Sequence, residues 1–216
     1  MSYAVKEIVY TLQGEGAQAG RAAVFCRFTG CNLWTGLEAD RATATCQFCD
    51  TDFVGTDGPG GGKYVNERHL ADAIARYWKP ERKPGERSST PLVVFTGGEP
   101  ALQLDQPLIE ALHAQGFEVA IETNGTIDLP EGIDWICVSP KAGASLKVQS
   151  GDEIKLIYPQ RGAEPEQFAG MAFDNFYLQP LDSPERTANA RATVNYCLAH
   201  PQWRISLQTH KILGIP

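Results

Sequence analysis

The chain has 216 residues, 43% of them hydrophobic, with a formal net charge of -7 and a pI near 5.1. That length and apolar content suit one core, so a single domain over residues 1–216 is expected, and the acidic balance argues against a basic surface for nucleic-acid phosphates. No basic segment leads into a long apolar one, so neither a signal peptide nor a membrane span is expected; the chain reads as cytoplasmic, where its six cysteines point to metal binding or catalysis and not to disulfides.

In chain order, Ala22–Phe28 is the first apolar, β-rich run. Cys31 follows, and fourteen residues later comes the tight loop Cys46-Gln47-Phe48-Cys49. The stretch Gly55–Gly62, with five glycines and one proline, reads as a flexible loop; no Gly-Lys-Ser/Thr follows to make it a phosphate cradle. A helix is expected after Asn66, with Leu70, Ala73, Ile74, Tyr77 and Trp78 on one face, and Arg82–Thr90 reads as a second flexible loop. Leu92–Phe95 is the next strand. Leu108, Ile109 and Leu112 then form a helix capped by Asp105 and stopped at Gly116.

Further strands are expected at Phe117–Ile121, Trp135–Val138, Ile154–Ile157, Phe176–Leu178 and Trp203–Leu207, and a third helix with Ser183 as cap and Pro184 at its first position runs towards Leu198. Cys26, Cys137 and Cys197 read as small buried residues.

Strands alternating with helices predict a mainly parallel α/β sheet, but a closed eight-unit barrel takes about 250 residues. The expected fold is an incomplete, (β/α)6-type partial barrel. Ile127 to Ile133 and Ser139 to Glu153 are too short for crossover helices, so the helical layer is reduced. Almost every strand ends in polar residues: Thr96-Gly97-Gly98-Glu99, Glu122-Thr123-Asn124, Ser139-Pro140-Lys141, Gln179 with Asp182, and Gln208-Thr209-His210. In a parallel barrel these ends share one rim, where sites are assembled.

Three thiolates beside one loop hold three irons of a four-iron cluster and leave the fourth open. Zinc is the alternative, but its fourth ligand is not evident, because His69 and His113 stand alone on predicted helices. Arg27, in an otherwise apolar strand four residues before Cys31, needs a buried anion.

Cys31, Cys46 and Cys49, the aromatic Phe48 before the last cysteine, and Thr96-Gly97-Gly98-Glu99-Pro100 together resemble the radical S-adenosylmethionine enzymes. The first cysteine gap is longer than the superfamily pattern. With Leu12-Gln13-Gly14-Glu15-Gly16, Arg27, Asp50-Thr51 and Glu122-Thr123-Asn124-Gly125, the chain is similar across nearly its whole length to the 7-carboxy-7-deazaguanine synthase family, some members of which carry that long gap.

The resemblance implies conversion of 6-carboxy-5,6,7,8-tetrahydropterin to 7-carboxy-7-deazaguanine with loss of ammonia, a lyase step towards queuosine. It implies a [4Fe-4S] cluster on Cys31, Cys46 and Cys49, S-adenosylmethionine, and Mg²⁺ on Thr51. Phe48, Gly97, Gly98, Glu99, Ser139, Pro140, Lys141, Gln179, Pro180, Leu181 and Asp182 are implied as cofactor-binding, with the exposed Gly-Gly backbone and the Glu99 carboxylate receiving the cofactor's amino group. Leu12, Gln13, Gly14, Glu15, Arg27, Thr96, His210 and Pro216 are implied for the substrate, Arg27 on its carboxylate and Pro216 through a tail that folds back. Glu122, the candidate catalytic residue, stays open between cofactor ribose and substrate. The implied partners are the small pterin, an electron donor such as flavodoxin and a second copy in a homodimer, with no direct nucleic-acid or membrane contact. Two alternatives are kept: a radical enzyme that activates a glycyl-radical partner, and a zinc-stabilised interaction module.

Overall fold

The computed structural model describes residues 2–80 and 89–216; most of the expected loop at 82–90 lies outside the described residues. A nine-stranded sheet has the order β3-β1-β2-β4-β5-β6-β7-β8-β9. Its strands are β1 Tyr3–Leu12, β2 Ala22–Phe28, β3 Gly62–Tyr64, β4 Leu92–Gly97, β5 Glu118–Thr123, β6 Trp135–Val138, β7 Ser150–Tyr158, β8 Ala172–Pro180 and the two-residue β9 Arg204–Ile205. β1 runs antiparallel to β2 and β3, and from β2 to β9 every pairing is parallel. The sheet does not close on itself, so the partial barrel is as expected.

Alternation along the strands divides the molecule into layers. Val24, Cys26 and Phe28 of β2, Val93 and Phe95 of β4, and Val119 and Ile121 of β5 face outward into the main core. Against them pack Leu70, Ala71 and Ile74 of α1 (Glu67–Tyr77) and Leu108, Ile109 and Leu112 of α2 (Gln106–His113). Both helices start where capping chemistry dictates: Asn66 accepts from the His69 amide, and Asp105 from the Leu108 amide. The opposite strand faces carry Ala23, Leu92, Val94 and Ala120, with Phe25 and Trp135 beside them, as a small apolar floor inside the barrel. One or two residues further along these strands stand Arg27, Thr96 and Glu122, so polar side chains sit above that floor.

The second half is built differently. No α-helix joins β5 to β6, β6 to β7 or β7 to β8, which gives the reduced helical layer. A second core of Val138, Ile154, Leu156, Phe173, Phe176, Leu178 and Trp203 serves this half, against α3 (Arg186–Ala199).

Several expectations are corrected. β1 and β3 were not anticipated: a bulge between Val5 and Glu7 shifts the register, so the buried Val5 and Ile8 fall three apart and the two-residue period is lost. α3 starts at Arg186, after Ser183, whose hydroxyl accepts from the Glu185 amide in a turn that precedes the helix. Only Arg204–Ile205 of the 203–207 run pairs as strand, and the short α4 (Thr209–Leu213) follows. Cys26 and Cys137 are buried, while Cys197 is only partly so. The Gly55–Gly62 segment is not a free loop but lies along β1, where Ile8 donates to the Pro59 carbonyl and Gly58 to that of Lys6. A Cβ on Gly61 would fall 2.3 Å from the Lys6 carbonyl oxygen, so glycine permits this approach.

Candidate functional site

The carboxyl ends of the parallel strands, the cysteine loop and the turn between β1 and β2 enclose one cavity of about 580 Å³. Three groups of side chains meet there. Cys31 enters from the end of β2, and Cys46 and Cys49 from the loop that follows the long gap. The neighbouring Cys46 thiol draws the Cys49 thiol down to about 6 while Cys46 itself is pushed up, and burial raises Cys31. Among the described residues no three His, Cys, Asp or Glu side chains converge as ligands of one metal ion would. A cubane asks for a different arrangement, because each thiolate binds its own iron and the sulfurs stand apart around the cluster. Three cysteines lining one cavity, one of them poised as thiolate, fit that group.

The second group comes from the ends of β4, β6 and β8. Thr96, Gly97 and Gly98 line the cavity with Ser139, Lys141, Gln179, Pro180, Leu181 and Asp182, and Phe48 and Thr51 face it from the cysteine loop. The Lys141 ammonium donates to the Ser139 carbonyl and hydroxyl, both at 2.7 Å, and burial lowers its pKa.

The third group is an ionic cluster. Lys155 of β7, 3% exposed, pairs with Glu15 and with Glu122, each at 2.8 Å. Gln13 donates to the other oxygen of Glu122 at 3.1 Å, and Gln179 and Gln208 donate to Glu15 at 3.1 and 3.2 Å. Burial works against charge on both Lys155 and Glu15. The acidic groups of Cys137, Glu122, Glu15 and Glu153 nevertheless hold the ammonium well above the ordinary lysine value, and Lys155 with Gln208 and His210 holds the Glu15 carboxyl below the ordinary carboxylate range.

The β1–β2 turn is fixed against the far side of the sheet. Thr209 donates to the Gly14 carbonyl through both its amide and its hydroxyl, Gly16 donates to Ser206, and Ala17 donates to Glu153 of β7. A Cβ on Gly14 would lie 2.3 Å from His210 Nδ1. Leu12, Gln13, Gly14, Glu15, Arg27, His210 and Pro216 all line the cavity, and a Pro216 oxygen accepts from the Thr11 hydroxyl.

Two candidate residues are not brought to the cavity. Pro140 is buried beside its lining. Glu99, 0% exposed, accepts from the Thr123 hydroxyl at 2.6 Å and from the Asn124 and Ala101 amides at 2.7 and 2.9 Å. Burial pushes its carboxyl up, and it ties the end of β4 to the end of β5 where an external ammonium was expected. The glycines before it line the cavity and also permit a close approach within the fold. A Cβ on Gly97 would fall 2.2 Å from the Phe28 carbonyl oxygen, and one on Gly98 2.1 Å from that of Gly30 and 2.8 Å from the Cys31 Cβ. They let β4 press against the turn that carries Cys31, and the Glu99 amide donates to Gly30 at 2.9 Å across the same seam. The anion Arg27 requires is Glu7, which accepts from Nε at 2.8 Å.

Lys155 and Glu7 were missed. The signal for Lys155 was the one that singled out Arg27, a charge inside the apolar run Ile154–Ile157.

No family model matches the chain. It is 64% identical over 216 residues to the 7-carboxy-7-deazaguanine synthase of Bordetella pertussis and 61% identical over 215 residues to that of Bradyrhizobium diazoefficiens, with 100% of both chains covered in each case. Among solved structures it matches QueE from Escherichia coli with a TM-score of 0.70 and 27% identity, covering 96% of this chain and 94% of that one.

Proposed function

The chain belongs to the 7-carboxy-7-deazaguanine synthase family, and from that membership we propose that it converts 6-carboxy-5,6,7,8-tetrahydropterin to 7-carboxy-7-deazaguanine, with ring contraction and loss of ammonia. It is a lyase of the radical S-adenosylmethionine type, with a [4Fe-4S] cluster and S-adenosylmethionine as cofactors and a place in queuosine and tRNA-modification biosynthesis. The observation that carries this reading is identity of 64% over the whole length of both chains. Neither the activase nor the zinc-module alternative gains support from the relatives or the geometry.

When bound, the cluster and S-adenosylmethionine supply hydrogen-atom abstraction at C6 of the pterin. Cys31, Cys46 and Cys49 hold the cluster, and the backbone of Gly97 and Gly98, with Phe48, Ser139, Lys141 and the Gln179–Asp182 stretch, holds the sulfonium cofactor. Glu15 and Glu122 accept from the aminopyrimidine edge of the pterin. Lys155 between them fixes their positions, which supports a substrate role for Glu122 beside Glu15. Arg27, tethered through Nε by Glu7, turns its remaining donors to the substrate carboxylate. Thr96, His210 and Pro216 close around the ring, and Thr51 offers an oxygen to Mg²⁺. Residues 1–216 act as one domain.

The reading extends to a homodimer reduced by a one-electron donor such as flavodoxin, in the cytoplasm. No helix among the described residues is long and apolar enough to cross a membrane.

Anaerobic reconstitution followed by turnover with the carboxypterin tests the proposal. Mass spectrometry finds the deazaguanine product with the intact chain and none with Cys46→Ser. Unchanged pterin from a chain that holds its iron overturns it.

A further inference from the structure

The fourteen residues between Cys31 and Cys46 are not explained by the reaction, and they are not a loose excursion. They fold back on the cysteines: Thr45 and Cys46 donate to the Leu33 carbonyl at 3.1 and 3.3 Å, and a 3-10 turn forms over Glu38–Thr43. Trp34, 7% exposed, packs edge-on to Phe53 with ring centroids 5.6 Å apart. The turn presents Arg41, whose guanidinium is held on three sides. Its flat face stacks 4.0 Å above the Trp34 ring, Nε donates to Glu38 at 2.7 Å with Nη2 on the other oxygen, and Nη1 donates to the Gln47 and Cys49 carbonyls at 2.9 and 3.0 Å. Those two carbonyls belong to the Cys46–Cys49 loop itself. Gln47 closes the contact from the other direction by donating to the Ala42 carbonyl at 3.0 Å.

We propose that the long gap is a built-in clasp, and that Arg41 is a positioning residue that sets the Cys46–Cys49 loop and keeps a permanent positive charge beside the cluster. The proposal rests on the cluster reading given above. Its physical basis is the planar fork of arginine, which engages a carboxylate, two carbonyls and a ring face together; lysine, a point charge on a flexible stem, does not. Groups just outside the ligands orient them, and a fixed cation there favours the more negative, reduced cluster. Arg41 thus raises the midpoint potential and slows loss of iron.

The test uses the reconstituted full chain, with transfer of iron to a ferrous chelator and EPR-monitored reduction as readouts. Arg41→Gln, which loses the charge, is expected to release iron about ten- to a hundredfold faster, the usual cost of removing such a partner. Its midpoint potential falls, a tenfold loss of preference for the reduced cluster reading as about 59 mV. Arg41→Lys releases iron faster but shows a smaller fall in potential. Wild-type release and potential in Arg41→Gln overturn the proposal, and faster release with an unchanged potential overturns the charge role. Should Arg41→Gln not fold, Glu38→Gln, which keeps the guanidinium but weakens its fork and removes an opposing negative charge, is expected to speed release with a potential that does not fall; wild-type release in it overturns the clasp, and a lower potential overturns the charge role. A wild-type chain that takes up no iron refutes instead the cluster reading beneath it.

Discussion

The half of the sheet from β1 to β5 and the half from β6 to β9 reach the same cavity by different physics. In the first, α1 and α2 lay apolar stripes on the strands, and side chains such as Leu70, Ile74, Leu108 and Leu112 leave no exposed surface. In the second, helices are largely absent from the connections, and α3 buries Asn189 and Thr193 where α2 buries leucine and isoleucine. Asn189 donates to the Leu181 carbonyl at 2.9 Å and to the Ser183 hydroxyl at 3.1 Å, so its polar contact supports the cavity wall directly. The first half is a scaffold whose packing holds the cysteine turn against Gly97 and Gly98; the second adds to its own apolar core hydrogen bonds and charges that themselves belong to the site. Damage to the first should appear as stability, and damage to the second as function.

The largest expected effect is at the ionic junction of the two halves. Lys155→Met leaves the half-buried Glu15 and Glu122 without their cation, a loss of up to about 3–5 kcal/mol. Turnover should be abolished, with denaturant melts and product assay as the measurements. A variant that loses stability but keeps turnover breaks the comparison.

Acid probes the same junction without mutation. The Glu15 carboxyl titrates below the ordinary value in the folded chain, so its pairing contributes stability that is fully present above 4.5 and lost as the pH falls through the lowered value. Lys155, held high, stays protonated throughout. Protection of the Thr209 amide, which donates to Gly14, should therefore fall in acid before protection of the β4 core does, relative to the unfolded chain at the same pH.

A pure packing change in the first half sharpens the contrast. Leu108→Ala should cost about 2–5 kcal/mol by leaving a cavity, yet keep KM for both small molecules at temperatures where the chain is folded. The smallest stability effect is Asn189→Ala, about 1–3 kcal/mol for the lost buried bonds. Its KM for S-adenosylmethionine should nonetheless rise, because Leu181 loses its support. An unchanged KM there removes α3 from the account of the site.

The sequence made the barrel legible because six parallel strands, β2 and β4 to β8, carry apolar runs long enough to read, and because Asn66 and Asp105 cap their helices by side-chain chemistry that is local. β1 escaped because its bulge breaks the alternation, and α3, though legible as a helix, starts later than expected because Ser183 serves a turn ahead of it. At the site, cysteines, glycines and strand-end polar groups stood out by type. What they touch did not: Gly98 reads as a glycine near a ligand, but only the fold shows that its close neighbour is the turn bearing Cys31. Glu99 likewise reads as a free carboxylate until Thr123 and Asn124 are folded onto it. Lys155 lay inside a strand, and its two partners are over a hundred and about thirty residues away along the chain, a separation no local pattern carries.

The central claim is that one cavity holds the cysteine-bound cofactor and the pterin against each other. It is tested most directly by turnover with substrate deuterated at C6, followed by mass spectrometry of the recovered S-adenosylmethionine. Because S-adenosylmethionine is expected to be re-formed after its 5′ carbon takes the C6 hydrogen, deuterium should appear at that 5′ position along with the deazaguanine product. Product that forms while the recovered cofactor stays free of deuterium would contradict it.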